Sequence, residues 1–236
     1  MKIFLSSLKI AFRQIVKTPP LKSYNLNYDN YWVQKKGSKM GNANSFQISR
    51  ANWISTKIDV GDSILDLGAG DGAVLLQIKK KMDINIIASD ISQYARLHLK
   101  KLGIKFVKCD FTKTSSFKNL PIVDHIFLLE VLEHLSNPEE ILLESISVCD
   151  KSVIFSFPNS GYFSYRLRFL FGRFPVQWRA HPSEHLRFWT YKDLIWWLVS
   201  LRLYEKSEIH IYEGLPFFSA LCPSLFGAAF IVQVKK

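Results

Sequence analysis

The sequence predicts an α/β fold, a doubly wound and mostly parallel sheet, on three observations. Residues 63–72 run from an apolar strand into a glycine turn and then into a helix pattern. Short apolar runs next alternate with helix-length segments as far as residue 157, the pattern of parallel strands joined by crossover helices. The last two apolar runs, near 203–213 and 226–234, lack a crossover helix between them. They are expected to pair as a hairpin that places an antiparallel strand at the sheet edge. At 236 residues, 48% hydrophobic and 14% aromatic, the chain can bury one substantial core.

The elements follow in order. Ile64, Leu65 and Leu67 mark a strand over 63–67, and Gly68, Gly70 and Gly72 break it. Val74, Leu75, Leu76 and Ile78 carry a helix over 72–81. A buried-strand run at 84–89, a helix at 92–102 and strands at 104–107 and 122–129 come next. Pro138 in a first turn opens a helix over 138–148. A strand at 151–157 and a helix at 190–200 precede the hairpin.

The glycine turn calls for a nucleotide-like cofactor, because bare main chain lets a ligand lie close. Gly68-Ala69-Gly70-Asp71-Gly72-Ala73 formally fits the dinucleotide pattern G-x-G-x-x-G/A. Three details argue against a pyrophosphate. Asp66, inside the strand, would repel it, and Asp71 adds a second acid where a helix N-terminus would otherwise receive phosphate. No Lys, Ser or Thr lies in the turn to clamp a phosphate. A cofactor with a positive amino group and no phosphate suits the turn better. Asp90 lies twenty residues after Gly70 at the end of the second strand. There it can accept hydrogen bonds from both ribose hydroxyls, or cap the helix from Ser92, or do both.

Residues 65–72 resemble the first motif of the class I S-adenosylmethionine-dependent methyltransferases, apolar-(Asp/Glu)-x-Gly-x-Gly-x-Gly. The run Glu130-Val131-Leu132-Glu133-His134-Leu135 is a marker of the same family. Residues 156–161 (Ser-Phe-Pro-Asn-Ser-Gly), the Arg166-x-Arg168 pair, the Gly172-Arg173-x-Pro175-Val176 run and His185-Leu186-Arg187-Phe188-Trp189-Thr190 resemble the methionine biosynthesis W-type, or type 11, branch. That similarity spans about residues 62–200.

The resemblance implies a Rossmann-like sheet of seven strands, the last antiparallel, and S-adenosyl-L-methionine as cofactor. It implies that Asp66, Gly68, Ala69 and Gly70 cradle the cofactor and that Asp90 and Ile91 meet its ribose. Asp110 would meet the adenine amino group, and Phe111 would pack on the ring. Glu130 and Val131 would lie at the methionine end, facing substrate. His134 is a candidate general base, since a neutral imidazole takes a proton near neutral pH. A structural histidine holding its loop is the competing reading. His185 is the second candidate, because that region approaches the substrate pocket in relatives.

Residues 1–50 differ from the remainder. They carry nine Lys or Arg and one acid, Asp29, so they hold +8 of the net +11. Residues 1–17 read as an amphipathic helix with Phe4, Leu5, Leu8, Ala11, Phe12, Ile15 and Val16 on one face. It is too short to span a membrane, and Lys9 and Arg13 interrupt any secretory apolar stretch. Either it packs on the domain or it rests on an anionic membrane surface. Tyr24, Tyr28, Tyr31 and Trp32 then supply an aromatic lid. The expected organisation is a basic helix-and-lid segment over 1–50 and a methyltransferase domain over 51–236, with an Arg- and aromatic-rich insert at about 158–189.

The insert's arginines suit a carboxylate or phosphate on the acceptor, or an acidic headgroup, or a solvated basic face. His181 and His185 stand four apart, but Pro182 follows the first and no third ligand is evident, so no metal site is expected. Cys109, Cys149 and Cys222 are scattered and odd in number, as free thiols of a reducing cytoplasm are.

The expected function is methyl transfer to a small-molecule or lipid-linked acceptor, at oxygen, by a cytoplasmic protein with peripheral contact at the inner membrane surface through residues 1–17. Two rivals stand: a non-catalytic methyltransferase-like partner subunit, and a nucleic-acid methyltransferase. The second is weakened because the basic surplus sits in the N-terminal arm and no Asn/Asp-Pro-Pro-Tyr motif appears.

Overall fold

The computed structural model describes residues 2–18, 27–110, 113–177 and 184–236. Seven strands form one sheet: β1 (Ser63–Leu67), β2 (Asn85–Ser89), β3 (Lys105–Phe106), β4 (Val123–Leu129), β5 (Cys149–Pro158), β6 (Ser207–Gly214) and β7 (Gly227–Lys235). Their order is β3-β2-β1-β4-β5-β7-β6. Strands β1 to β5 pair parallel with their neighbours. The expected hairpin is present: β6 forms the edge and β7 runs antiparallel to both β5 and β6. The order reverses between β1 and β4, and the carboxyl ends of those strands open the crevice where such sheets take ligands.

The strands read as near-continuous apolar runs because both faces are covered. Alternate residues of β4 show this. Ile126 and Leu128 face a core shared with Ile141 and Leu142 of α6 (Pro138–Ser147) and with Leu194, Trp197 and Leu198 of α8 (Tyr191–Ser200). Phe127 and Leu129 face the opposite core, with Ala51 and Ile54 of α3 (Ser45–Ile54), Leu75 and Ile78 of α4 (Ala73–Lys79) and Leu99 of α5 (Gln93–Lys101). Local chemistry sets several helix starts. Asn44 with Gln47, and Thr190 with Asp193, form reciprocal capping boxes for α3 and α8.

The N-terminal helix α1 (Lys2–Val16) packs on the domain, against α7 (Phe163–Leu170) of the insert. The contact stripe overlaps the expected apolar face only in part. Ala11 is buried, and Gln14 donates to the Tyr165 hydroxyl at 3.1 Å and accepts from Ser164 at 2.8 Å. Arg168, itself buried, donates to the carbonyls of Gln14, Ile15 and Lys17 and so satisfies the end of α1. Leu5, Phe12 and Val16 turn outward, each more than half exposed. The cysteines behave as expected: all three are free, with Cys109 and Cys149 buried and Cys222 exposed. Among the described residues no helix is long and apolar enough to cross a membrane.

Candidate functional site

The glycine turn leaves β1 at the sheet's crevice. Gly68 has φ +83°, and a Cβ there would come within 2.6 Å of Val131 Cγ2. Gly70 has φ +56°, and a Cβ there would meet the Trp32 ring at 2.3 Å. Both positions therefore need glycine for conformation and for close approach. Four of the turn's amides bond inside the fold. Gly68 and Ala69 donate to the Ser89 carbonyl at 2.8 and 3.0 Å, Gly72 donates to the Ala69 carbonyl at 3.0 Å, and Gly70 donates to Asp90 Oδ2 at 2.8 Å. A pyrophosphate needs free amides at this helix start, so the bonding supports the phosphate-free reading. Asp71 does not present the free negative charge that the sequence suggests. Asp71 is buried and bonded to Lys36 at 2.8 Å and to Gln47 at 3.2 Å, so its charge is matched inside the fold.

Asp66 is buried, and its Oδ1 has no hydrogen-bond partner. Burial raises its pKa to about 7, with the neighbouring Asp90 adding and Arg50 opposing. Asp90 accepts from the Gly70 and Ser92 amides, and burial still holds its pKa above the usual carboxylate range. An orphaned buried carboxylate oxygen beside a glycine cradle fits the ammonium and ribose of a cationic nucleoside cofactor.

Helix α2 (Tyr28–Lys35) and the residue after it lie against the glycine turn. Asp29 accepts from the Ser92 hydroxyl at 2.6 Å and the Tyr94 amide at 2.9 Å, Trp32 lies on Gly70, and Lys36 pairs with Asp71. Of the sequence-predicted aromatic lid, Tyr24 lies outside the described residues. So does Phe111. Ile91 is exposed beside Asp90. Asp110 is exposed and pairs with Lys113 at 3.5 Å.

Glu130 ends β4 with φ +60°, a conformation a non-glycine residue holds only when its surroundings fix it. They do: its Oε1 accepts from Ser156 and Tyr212, each at 3.0 Å, and pairs with Arg50 at 3.1 Å. Arg50 is buried, bonds Ser156 at 3.2 Å and lies over the Tyr212 ring. Burial, reinforced by Glu130, pushes the Tyr212 hydroxyl pKa well up. A pocket beside Glu130 is lined by Ile10 and Gln14 of α1, Phe46 of α3, Tyr165 of α7 and Tyr212 of β6.

The two candidate histidines, fifty-one positions apart, come together: their ring centroids are 4.8 Å apart at 88°. A backbone zipper explains the meeting. The amides of Leu186 and Arg187 both donate to the Glu133 carbonyl, and His134 Nδ1 donates to the Glu184 carbonyl. Burial lowers the pKa of His134 although the Glu184 carbonyl opposes it, and burial with His134 lowers that of His185 to about 4. Both rings are therefore neutral near pH 7. Glu133, buried beneath them, has neither carboxylate oxygen partnered, and burial with Glu130 raises its pKa well above the usual range.

Sequence reasoning missed Arg50, Tyr212 and the burial of Glu133. The only available signal was an acid within the apolar run 130–135. The arginine expectation needs correction for the described residues. Arg166 bonds the Gly161 carbonyl and Ser224, Arg168 caps α1, and Arg187 bonds the Ser136 carbonyl and Glu139. These three hold the insert in place rather than waiting for an acceptor anion. His181 and Arg179 lie outside the described residues.

A family model described as "Methionine biosynthesis protein MetW" matches residues 49–215. No curated protein matches the sequence. Among solved structures, a methyltransferase dependent on S-adenosylmethionine from Archaeoglobus fulgidus is 17% identical, with a TM-score of 0.63 over 89% of this chain and 100% of that one. The plantazolicin methyltransferase BamL, solved with a desmethyl-plantazolicin analogue and S-adenosylhomocysteine, is 16% identical with a TM-score of 0.58 over 88% of each chain. A complex of the Trm112 activator and a methyltransferase from Haloferax volcanii gives 15% and 0.55, over 88% of this chain and 95% of that one. At these identities the likeness shows a shared fold.

Proposed function

The chain belongs to the methionine biosynthesis protein MetW family, and on that premise we propose that it binds S-adenosylmethionine and moves its methyl group to an oxygen of a small-molecule or lipid-linked acceptor. One observation carries the cofactor assignment. The amides of Gly68, Ala69, Gly70 and Gly72 are bonded inside the fold, while Asp66 at the base of the turn keeps an unpartnered buried oxygen. The cofactor, when bound, supplies an electrophilic methyl on a sulfonium. The protein's share is placement, which can lower a barrier by about 7–11 kcal/mol.

Asp66, Gly68, Ala69 and Gly70 form the cradle, with Asp90 and Ile91 at the ribose and Asp110 and Phe111 at the adenine. Glu130 and Val131 face the methionine end. Tyr212 and Phe46 shape the acceptor pocket beside Glu130. His134 or His185 receives the acceptor's proton, since both rings are neutral near pH 7. The lipid-linked option draws support from the outward faces of α1 and the insert. Leu5, Phe12 and Val16 of α1, with Phe169, Leu170 and Phe171, expose apolar rings and chains among Lys9, Arg13 and Arg173. Such a surface suits peripheral contact with an anionic membrane and a cytoplasmic setting.

Titration calorimetry with S-adenosylmethionine tests the core of this reading. Asp90→Ala should weaken binding about 30-fold, the equivalent of about 2 kcal/mol. A native protein that ignores this ligand but keeps a dinucleotide overturns it. A methyl-transfer screen over hydroxylated metabolites and lipid-linked sugars, read as S-adenosylhomocysteine release, tests the acceptor class. The family match favours one other reading, a non-catalytic partner subunit; cofactor binding without turnover in any such screen would select it.

A further inference from the structure

We propose that Glu133, His134 and His185 hold one divalent transition-metal ion. One ligand atom from each of the three lies within 4.8 Å of the others. His134 Nδ1 faces the Glu184 carbonyl, which can only accept, so Nδ1 carries the ring's hydrogen. His134 Nε2 is then a bare lone pair, and it faces Glu133 Oε1, another acceptor, at 3.9 Å. An ionised Glu133 facing that lone pair calls for a cation between them, and the same cation reaches the free Nδ1 of His185.

The atoms left over agree. Both oxygens of Glu133 and Nδ1 of His185 are buried without a hydrogen-bond partner. They supply the carboxylate and the second imidazole that such an ion needs. Glu133 is 1% exposed, and a buried acid with neither oxygen satisfied is costly unless something cationic joins it. The carbonyl behind His134 supplies the outer support that orients metal-bound imidazoles. Two imidazoles and one carboxylate suit zinc, manganese, iron or cobalt rather than calcium or magnesium. Bonds of about 2.1 Å put tetrahedral ligand atoms ~3.4 Å apart, so the site closes by about an ångström on loading. The spacing of His181 and His185 pointed away from any metal, because the ligands come from two loops that only the fold brings together.

The site stands whether or not methyl transfer occurs. If it does, the ion takes the lone pairs of the two rings and lowers the pKa of a bound acceptor hydroxyl itself. The histidines then hold the cation instead of taking the proton.

The test uses the whole chain, stripped with a chelator and titrated separately with Zn²⁺, Mn²⁺ and Co²⁺ by calorimetry, with the Co²⁺ visible bands recorded. One equivalent should bind, with bands of nitrogen and oxygen ligands. Glu133→Gln and His185→Ala should each weaken binding by at least about tenfold. Unfolding curves and S-adenosylmethionine calorimetry on the same samples report whether each variant is folded. If Glu133→Gln fails to fold, His185→Ala decides alone. No stoichiometric uptake, thiolate-type cobalt bands, or uptake unchanged in a folded variant overturns the proposal. Cofactor binding by the metal-free protein is read separately, so failure here leaves the methyl-transfer reading intact.

Discussion

The two ends of the sheet carry similar buried polar groups and treat them differently. At the amino ends of the strands, His125 bonds Ser152 at 2.8 Å and Asp62 at 2.9 Å, and Gln233 bonds Ser152 at 3.0 Å. Lys151 joins Asp62, and Asp124 accepts from the amide and hydroxyl of Ser63. Burial works to raise the Asp62 pKa, yet Lys151, the Asp59 amide and His125 outweigh it and the value falls. The Ser63 hydroxyl and amide bring Asp124 to about 2. At the carboxyl ends, Asp66, Ser89, Glu133 and His185 each have a buried atom without a partner. A closed network stabilises the native state, whereas open valences destabilise it and mark where a ligand completes the structure.

The same substitution at the two ends should therefore act with opposite signs. Asp66→Asn gives the largest effect. The folded pKa of Asp66, about 7, lies above the ordinary value of 3.8. Its penalty is absent below the unfolded value, grows between the two and is complete above the folded one. At about pH 8 the variant should be more stable by a few kcal/mol, with about 4 as the ceiling. In acid the difference should vanish. Denaturant unfolding across that range checks this, and cofactor affinity should fall by about tenfold because the ammonium loses its counter-charge.

Asp62→Asn should destabilise by about 2 kcal/mol at neutral pH, since it strands Lys151 and His125. Here the folded pKa is depressed, so the native advantage exists above the unfolded value and is lost as pH falls through the folded one. Unfolding curves in which both Asp→Asn variants shift the same way would break the contrast.

Trp32→Ala probes the open end without touching an acid. The lid should loosen, speeding cofactor dissociation about fivefold, or ~1 kcal/mol, with little change in association. Stopped-flow displacement measures it. Lys57→Ala sets the baseline: its pair with the half-exposed Glu208 lies on the surface, and removal should cost below about 0.5 kcal/mol.

Much of the fold is legible in local pattern. Glycine at 68, 70 and 72 after an apolar strand fixes a strand-turn-helix unit, and the absence of a crossover before residue 226 fixes the hairpin. Residues 24–36 were legible as an aromatic, basic stretch, but the approach of Trp32 to Gly70 was not. Helix α1 shows where periodicity misleads. Of its apolar stripe Ala11 is buried, but Leu5, Phe12 and Val16 are not, and the off-stripe Gln14 joins the contact because α7 offers Tyr165 and Ser164 to bond with. The spacing of apolar residues along a helix reports which face is apolar, not which partner awaits it.

Local pattern is enough for the order of elements, the two-sided burial of the strands and the acid-flanked glycine turn. Each follows from contacts or backbone preferences within a few residues. Tertiary structure alone decided that Asp71 is matched by Lys36, that Arg166, Arg168 and Arg187 bond backbone and neighbouring side chains, and that Glu133, His134 and His185 converge. Those outcomes depend on which distant groups share a desolvated space, and no local rule encodes the distance between residues fifty-one positions apart.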